Sequence, residues 1–149
     1  MKIEEAIKQK KFRNEYQKLT LNLIYSSHWL LSKQKEFFSR FEITQQQYNV
    51  LRILRGQHPQ AISTSEIKGR MLDMNSDSSR IVDRLELKGL VSKRICKEDK
   101  RLVDVSITDQ GMGLLEQIDQ EIEKLDEIVT NLSINETREL NHLLDKMRH

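Results

Sequence analysis

Cysteine occurs once in these 149 residues, proline once and glycine five times. The single thiol, Cys96, excludes an internal disulfide framework. Scarce proline and glycine argue against long irregular loops and for regular elements joined by short turns. Aromatic residues make up 5% of the chain against 32% charged. That balance predicts a helical protein with much exposed surface, some of it available to a second copy. No apolar run approaches the roughly 20 residues that span a bilayer, so no membrane partner is expected. The N-terminal stretch MKIEEAIKQKKFRNEY lacks the apolar segment of a signal peptide, and a cytoplasmic location is expected. No Gly-rich phosphate loop is present, and His28, His58, His142 and His149 are scattered. His142 and Asp145 stand i,i+3, a spacing open to a metal and equally to a plain exposed face. No enzyme, metal site or cofactor is expected.

Net charge is only +2, but it is unevenly spread. Residues 1–101 carry 21 Lys/Arg against 12 Asp/Glu, and residues 102–149 carry 4 against 11. Residues 68–101 alone hold ten basic and six acidic side chains. A phosphate backbone responds to such a local patch, not to the average. A charge run by itself can also be a solvated face, so the patch has meaning only within the pattern around it.

The first 40 residues read as one long helix, with apolar or small residues Phe12, Tyr16, Leu19, Leu23, Ser27, Leu30, Phe37 or Phe38, and Phe41 recurring at spacings of three and four or their sums. Leu21, Ile24 and Leu31 add a second apolar face, as suits a helix lying between its own domain and a partner. Thr44-Gln45-Gln46-Gln47 is a capping box, opening a helix that ends near Gly56. Residues 61–62 read as a very short strand. Ser63-Thr64-Ser65-Glu66 is a second capping box, opening a helix that runs to Met71 or Leu72. After a turn, a helix over about residues 76–88 presents Ile81, Val82 and Leu85 inward and is stopped by Gly89. A strand at 91–96, a charged tip and a strand at 102–107 follow. A long amphipathic helix is expected from Thr108 to Leu132, and Ser133-Ile134-Asn135-Glu136 caps a final one.

The order is therefore helix, helix, short strand, helix, helix, strand, tip, strand, helix, helix. It is mainly α with a small β-hairpin, the layout of a winged helix-turn-helix. Residues 44–108 form the winged helix-turn-helix, and residues 1–40 and 109–149 form a helical region whose excess apolar surface suits a homodimer. In such a domain the second helix lies in the major groove and offers its N-terminal side chains to base edges. The candidates are Asn75, Ser76, Asp77, Ser79, Arg80 and Arg84. Arg80 suits either a guanine edge or a phosphate. Asp77 suits a cytosine amino group or a pairing with Arg80 or Arg84 that steadies the helix start. On the hairpin the candidates are Arg94, Lys97, Asp99, Lys100 and Arg101. Arginine suits a narrow, strongly negative minor groove, and Asp99 is placed to fix its direction. The plain alternative is an ordinary charged hairpin tip.

Val82-Asp83-Arg84-Leu85, Lys88-Gly89-Leu90-Val91, Asp99-Lys100-Arg101 and Val105-Ser106-Ile107-Thr108-Asp109-Gln110-Gly111 together resemble the MarR family of winged-helix regulators. The resemblance implies a transcriptional regulator, a homodimer on a pseudo-palindromic operator in double-stranded DNA. It implies recognition helices in the major groove and Arg101 in the minor groove. It further implies repression relieved by a small aromatic or anionic effector. The chain departs from the family pattern at Lys68, Leu72 and Ser78, and it lacks the first-helix cysteine of the oxidation-sensing members. An effector pocket is expected where Tyr25, His28, Trp29, Tyr48 and Arg52 supply aromatic walls and a cationic end, unless these aromatics belong to the dimer core. The rival reading is a winged-helix module that binds protein, expected to expose apolar side chains where the DNA-reading residues lie.

Overall fold

The computed structural model describes all 149 residues as helices α1 (Ile3–Ala6), α2 (Glu15–Ser39) and α3 (Gln45–Gln57), strand β1 (Ile62–Ser63), helices α4 (Thr64–Arg70) and α5 (Ser78–Leu87), strands β2 (Val91–Ile95) and β3 (Val103–Ile107), and helices α6 (Asp109–Asp119), α7 (Glu123–Asp126) and α8 (Ile134–Met147). The sheet is antiparallel in the order β1-β3-β2. Val91 faces Ile107, Lys93 faces Val105, and Arg94 faces Asp104 across the β2–β3 hairpin. Val50, Leu51, Leu54, Ile67, Val82, Leu85, Val105, Leu115 and Ile118 form the most deeply buried part of one core. It is built from α3 to α6 and the sheet, closed on one side by Phe37 and Phe38 of α2. No helix is long and apolar enough to cross a membrane.

Three capping boxes form, at Thr44, Ser63 and Ser133. Each hydroxyl accepts from an amide three residues on, and the Gln or Glu there returns a bond to the cap backbone. The turn after α5 is equally local. Gly89 sits at φ +73°, with its amide donating to Glu86 and that of Leu90 to Leu85, a Schellman ending in which glycine carries no Cβ penalty.

The long helix expected over the first 40 residues is interrupted. Asn14 leaves the helical conformation and accepts from the Gln17 amide at 2.9 Å, while Gln17 accepts from the Arg13 amide at 2.6 Å. This cap outcompetes continuation through a stretch rich in lysine. The chain before it folds back, burying Ile3 and pairing Glu4 with Lys18 at 2.6 Å. The helix expected from Thr108 to Leu132 also breaks, after Asp119, into α7 and a 3-10 turn at Glu127–Val129. Its apolar period continues, and Ile122 and Leu125 still pack on the core. Glu116, Asp119, Glu123, Asp126 and Glu127 crowd like charges at helical spacing, however, and no basic residue lies in the last turn of α6.

The α2–α3 corner holds the end of α5. Glu42 adopts φ +57°, a strained conformation for a residue with a side chain. The Lys88 ammonium donates to the Glu42 carbonyl and, at 3.5 Å, to Gln47 Oε1. At the other extreme, α8 contributes no buried residue; Leu140, Leu143 and Met147 are about half exposed.

Candidate nucleic-acid interface

Helices α4 and α5 with the turn between them form the helix-turn-helix, and the hairpin β2–β3 forms the wing. Ile81, Val82 and Leu85 bury one stripe of α5, leaving Ser79, Arg80, Asp83 and Arg84 on the outer face. The helix starts at Ser78, two residues later than the sequence pattern implied. Asp77 is the reason, since its carboxylate accepts from the Arg80 amide at 3.2 Å and occupies the cap. It forms no ion pair with Arg80 or Arg84, and both guanidiniums are free of carboxylate partners. Replacing Asp77 with Ala is expected to destabilise the fold by about 1 kcal/mol, measurable as a lowered midpoint in urea unfolding.

Asn75 is exposed, its amide bonded to Asp73 Oδ1. Ser76 is a correction to the sequence reading. It is 4% exposed and its hydroxyl donates to the Asp73 carbonyl at 2.5 Å, so it braces the turn instead of facing outward. Apolar Met74 and Leu87 stand exposed at the two ends of this face, flanking the polar and basic residues without interrupting them.

The wing is moored to α5 by a contact that sequence reasoning missed. Lys93 Nζ lies 2.5 Å from Asp83 and 3.9 Å from Glu86, and its amide donates to Glu86 Oε2 at 3.1 Å. The hydrogen bond it donates to Asp83 holds the Lys93 ammonium above its ordinary pKa. The signal was two acids at i,i+3 on a helix, followed by a basic strand. Lys93 is thereby spent on positioning, while Arg94, Lys97 and Lys100 remain exposed and unpaired.

At the wing tip Asp99 braces Arg101 three ways. Its carboxylate accepts from the Arg101 amide at 3.0 Å, from Nε at 3.1 Å and from Nη2 at 3.1 Å. The Arg101 side chain is nevertheless 89% exposed, against 34% for Asp99, so the guanidinium projects from a held base. Its hydrogen bonds hold the Asp99 carboxyl below the usual carboxylate range. A depressed carboxylate contributes in full above its unfolded pKa and is lost only as pH falls through the lower folded value. DNA affinity should therefore show no titration from Asp99 between pH 8 and pH 5. An Asp99-dependent loss of affinity within that window, absent in Asp99→Asn, would refute the brace.

Of the expected effector residues, Tyr48 and Arg52 line a cavity of about 530 Å³ between α2, α3, α6 and the 3-10 turn. Arg55 pairs with Asp119 at 2.6 Å on its wall, and the Arg52 guanidinium lies 6.0 Å from the Tyr48 ring centre. Burial pushes the Tyr48 hydroxyl above its ordinary pKa. Tyr25, His28 and Trp29 do not join them. The α2 residues that reach the cavity are Leu30, Gln34 and Phe38, an i,i+4,i+8 row. Trp29 lies about 100° of helical turn away from that row, and all three of these residues are exposed. Cys96 is half-buried beside the wing.

Comparison with known proteins agrees with this geometry. The family model described as "MarR family" matches residues 43–103, which span α3 through the wing tip to the first residue of β3. The HTH-type transcriptional regulator PecS of Dickeya dadantii is 30% identical over 112 residues, covering 74% of this chain and 68% of its own. A MarR transcription factor of Planctomyces limnophilus is 33% identical with a TM-score of 0.70, over 91% of this chain and 98% of that one. A mutant MarR from E. coli, solved in complex with operator DNA, is 29% identical with a TM-score of 0.80, over 93% and 99%. With a helix-turn-helix, a braced arginine wing and these likenesses together, the chain belongs to the MarR family and is a DNA-binding transcriptional regulator.

Proposed function

We propose that the protein is a repressor that binds a pseudo-palindromic operator as a homodimer in the cytoplasm and is released by a small aromatic or anionic effector. The observation that carries the DNA-contact part is the pairing of an exposed, braced Arg101 with two uncommitted guanidiniums on α5, Arg80 and Arg84. On this reading α5 enters the major groove and supplies Asn75, Ser79, Arg80 and Arg84, with Asp77 holding the helix start. The wing supplies Arg94, Lys97 and Lys100 to phosphates and Arg101 to the minor groove.

The bare α8 and the exposed Leu19, Ile24, Trp29 and Leu31 of α2 support dimerisation through residues 1–40 and 109–149, with residues 44–108 as the DNA-binding region. Two recognition helices must then stand about 34–36 Å apart, one helical turn. An effector in the Tyr48–Arg52 cavity, where α2 meets the winged domain, would act by shifting that separation. The test is a titration of purified protein against a fluorescent duplex of its own upstream DNA and a scrambled duplex, at several salt concentrations. A steep salt slope with clear preference for the upstream duplex is expected. Equal weak binding to both duplexes and to genome-wide selected fragments would defeat the operator reading.

A further inference from the structure

Residues 1–18 carry six Lys/Arg against three Asp/Glu. They form a hook on the start of α2, with Ile3 buried, Glu4 paired to Lys18 at 2.6 Å and the Lys18 ammonium 5.8 Å from the Phe12 ring centre. On this hook Lys8, Lys10, Lys11 and Arg13 are exposed and have no carboxylate partner. The opposite excess lies at residues 116–127, with six acidic side chains and one lysine. Asp119 is taken up by Arg55 at 2.6 Å, and Glu121 by Lys124 at 2.5 Å and Arg40 at 3.5 Å. Glu116, Glu123, Asp126 and Glu127 stay exposed and unpaired. Within one copy the two groups cannot meet. Glu121 sits on Arg40 just past the end of α2, and Asp126 lines the cavity beside Leu30 and Gln34. The hook stands at the other end of that 25-residue helix, roughly 25–40 Å away.

A second copy removes that distance. The exposed apolar side chains of α2, Leu19, Ile24, Trp29 and Leu31, are centred on Tyr25. An isologous dimer sets this face against itself, and helices related by a two-fold across their axes run antiparallel. The hook of one copy then lies beside the C-terminal half of its partner's α2, where the acid stretch is packed. We propose that the hook clasps the partner's acid stretch, twice per dimer. Charge then fixes the antiparallel register of α2, while the apolar side chains supply the burial. The inference rests on the homodimer proposed above and adds the surfaces by which one copy selects another. Exposed ion pairs are weak singly and screened by salt, so a clasp made of several makes assembly salt-dependent.

Two full-length variants test the clasp. Lys8→Glu/Lys10→Glu/Lys11→Glu reverses the hook, and Glu123→Lys/Glu127→Lys reverses the stretch; every altered side chain is exposed and unpaired. Alone, each variant should self-associate about 100-fold or more weakly than wild type in sedimentation equilibrium, because like charges then meet twice. The two are then mixed, one grown in heavy nitrogen so that native mass spectrometry separates the three dimers. The heterodimer should predominate almost completely, since both of its clasps again join opposite charges. Wild-type dissociation should rise about tenfold or more between low salt and roughly 0.5 M salt.

Statistical mixing, with heterodimer no more abundant than the two homodimers together, overturns the clasp and leaves the homodimer standing. The salt response needs no variant, and a wild-type association unchanged between the two salts overturns the clasp as well. A wild type that stays monomeric at every concentration overturns the homodimer itself and leaves the α2 face to a different protein.

Discussion

Arg101→Ala is expected to weaken specific operator binding on the order of 30-fold or more, because a dimer carries two wings and each such contact is worth roughly 1–3 kcal/mol. The Asp99 carboxylate holds the guanidinium before DNA arrives, so little side-chain freedom remains to be lost on binding. That preorganisation separates the residue from the exposed Lys97 and Lys100, whose loss should lower affinity evenly across sequences. Arg101→Ala should also erase discrimination at the base steps beneath the wing, where a narrow A·T-rich groove is favoured. Asp99→Ala keeps the cation but frees it, and a smaller loss with retained salt slope should follow. Anisotropy titrations on the operator and on a duplex with G·C pairs at those steps would decide the matter. Equal losses on both duplexes would make Arg101 a phosphate contact only.

Two glycines in one helix should respond to alanine with opposite signs. A Cβ on Gly111 would lie 2.3 Å from the Leu90 carbonyl oxygen and 2.7 Å from Ile107 Cγ1. The Leu90 carbonyl cannot retreat, because it accepts from the Thr108 amide at 3.1 Å while Leu90 sits in the Schellman turn. The Thr108 hydroxyl also donates to the Gly89 carbonyl at 2.7 Å and accepts from the Gly111 amide at 3.1 Å. Gly111→Ala must therefore push α6 away from the sheet, at a cost of about 3 kcal/mol or more and a fall in melting temperature of about 10 °C. At Gly113 a Cβ would meet nothing within 4 Å, so Gly113→Ala should gain about 0.5–1 kcal/mol from helix propensity. Thermal unfolding of the two variants side by side tests the argument; equal effects would show that close packing at Gly111 is not what demands glycine.

What was legible in the chain was what a few neighbouring residues decide among themselves. The capping boxes at Thr44, Ser63 and Ser133, the stop at Gly89 and the inward stripe Ile81–Val82–Leu85 all rest on bonds or spacings within one or two turns, and all formed. The Asp99–Arg101 brace is local in the same way. The misreadings arose where two local signals competed or where a distant group intervened. Apolar periodicity ran on through Phe12 and Tyr16, but the Asn14 side chain offered the backbone a better bond. It ran on through Ile122 and Leu125 too, against a crowd of carboxylates. Ser76 looked like an outward polar residue until the Asp73 carbonyl claimed its hydroxyl. The Lys93–Asp83 mooring joins residues ten apart across two elements, and the i,i+3 pair of acids on α5 did not by itself say which basic residue of the strand would meet it. Tyr25, His28 and Trp29 were grouped with Tyr48 by chemical kind, whereas the phase of α2 decides which side chains reach the cavity.

The bond from Lys88 to the Glu42 carbonyl fastens the far end of the recognition helix, not its reading end. Ten residues of helix extend about 15 Å from that fastening. Such a rod amplifies: a tilt of only about 10° at the α2–α3 corner sweeps Ser79 and Arg80 through about 2.6 Å, most of the roughly 3.4 Å between stacked base pairs. If α5 reads the major groove as proposed, a tilt of that size would carry Ser79 and Arg80 most of one base pair out of register.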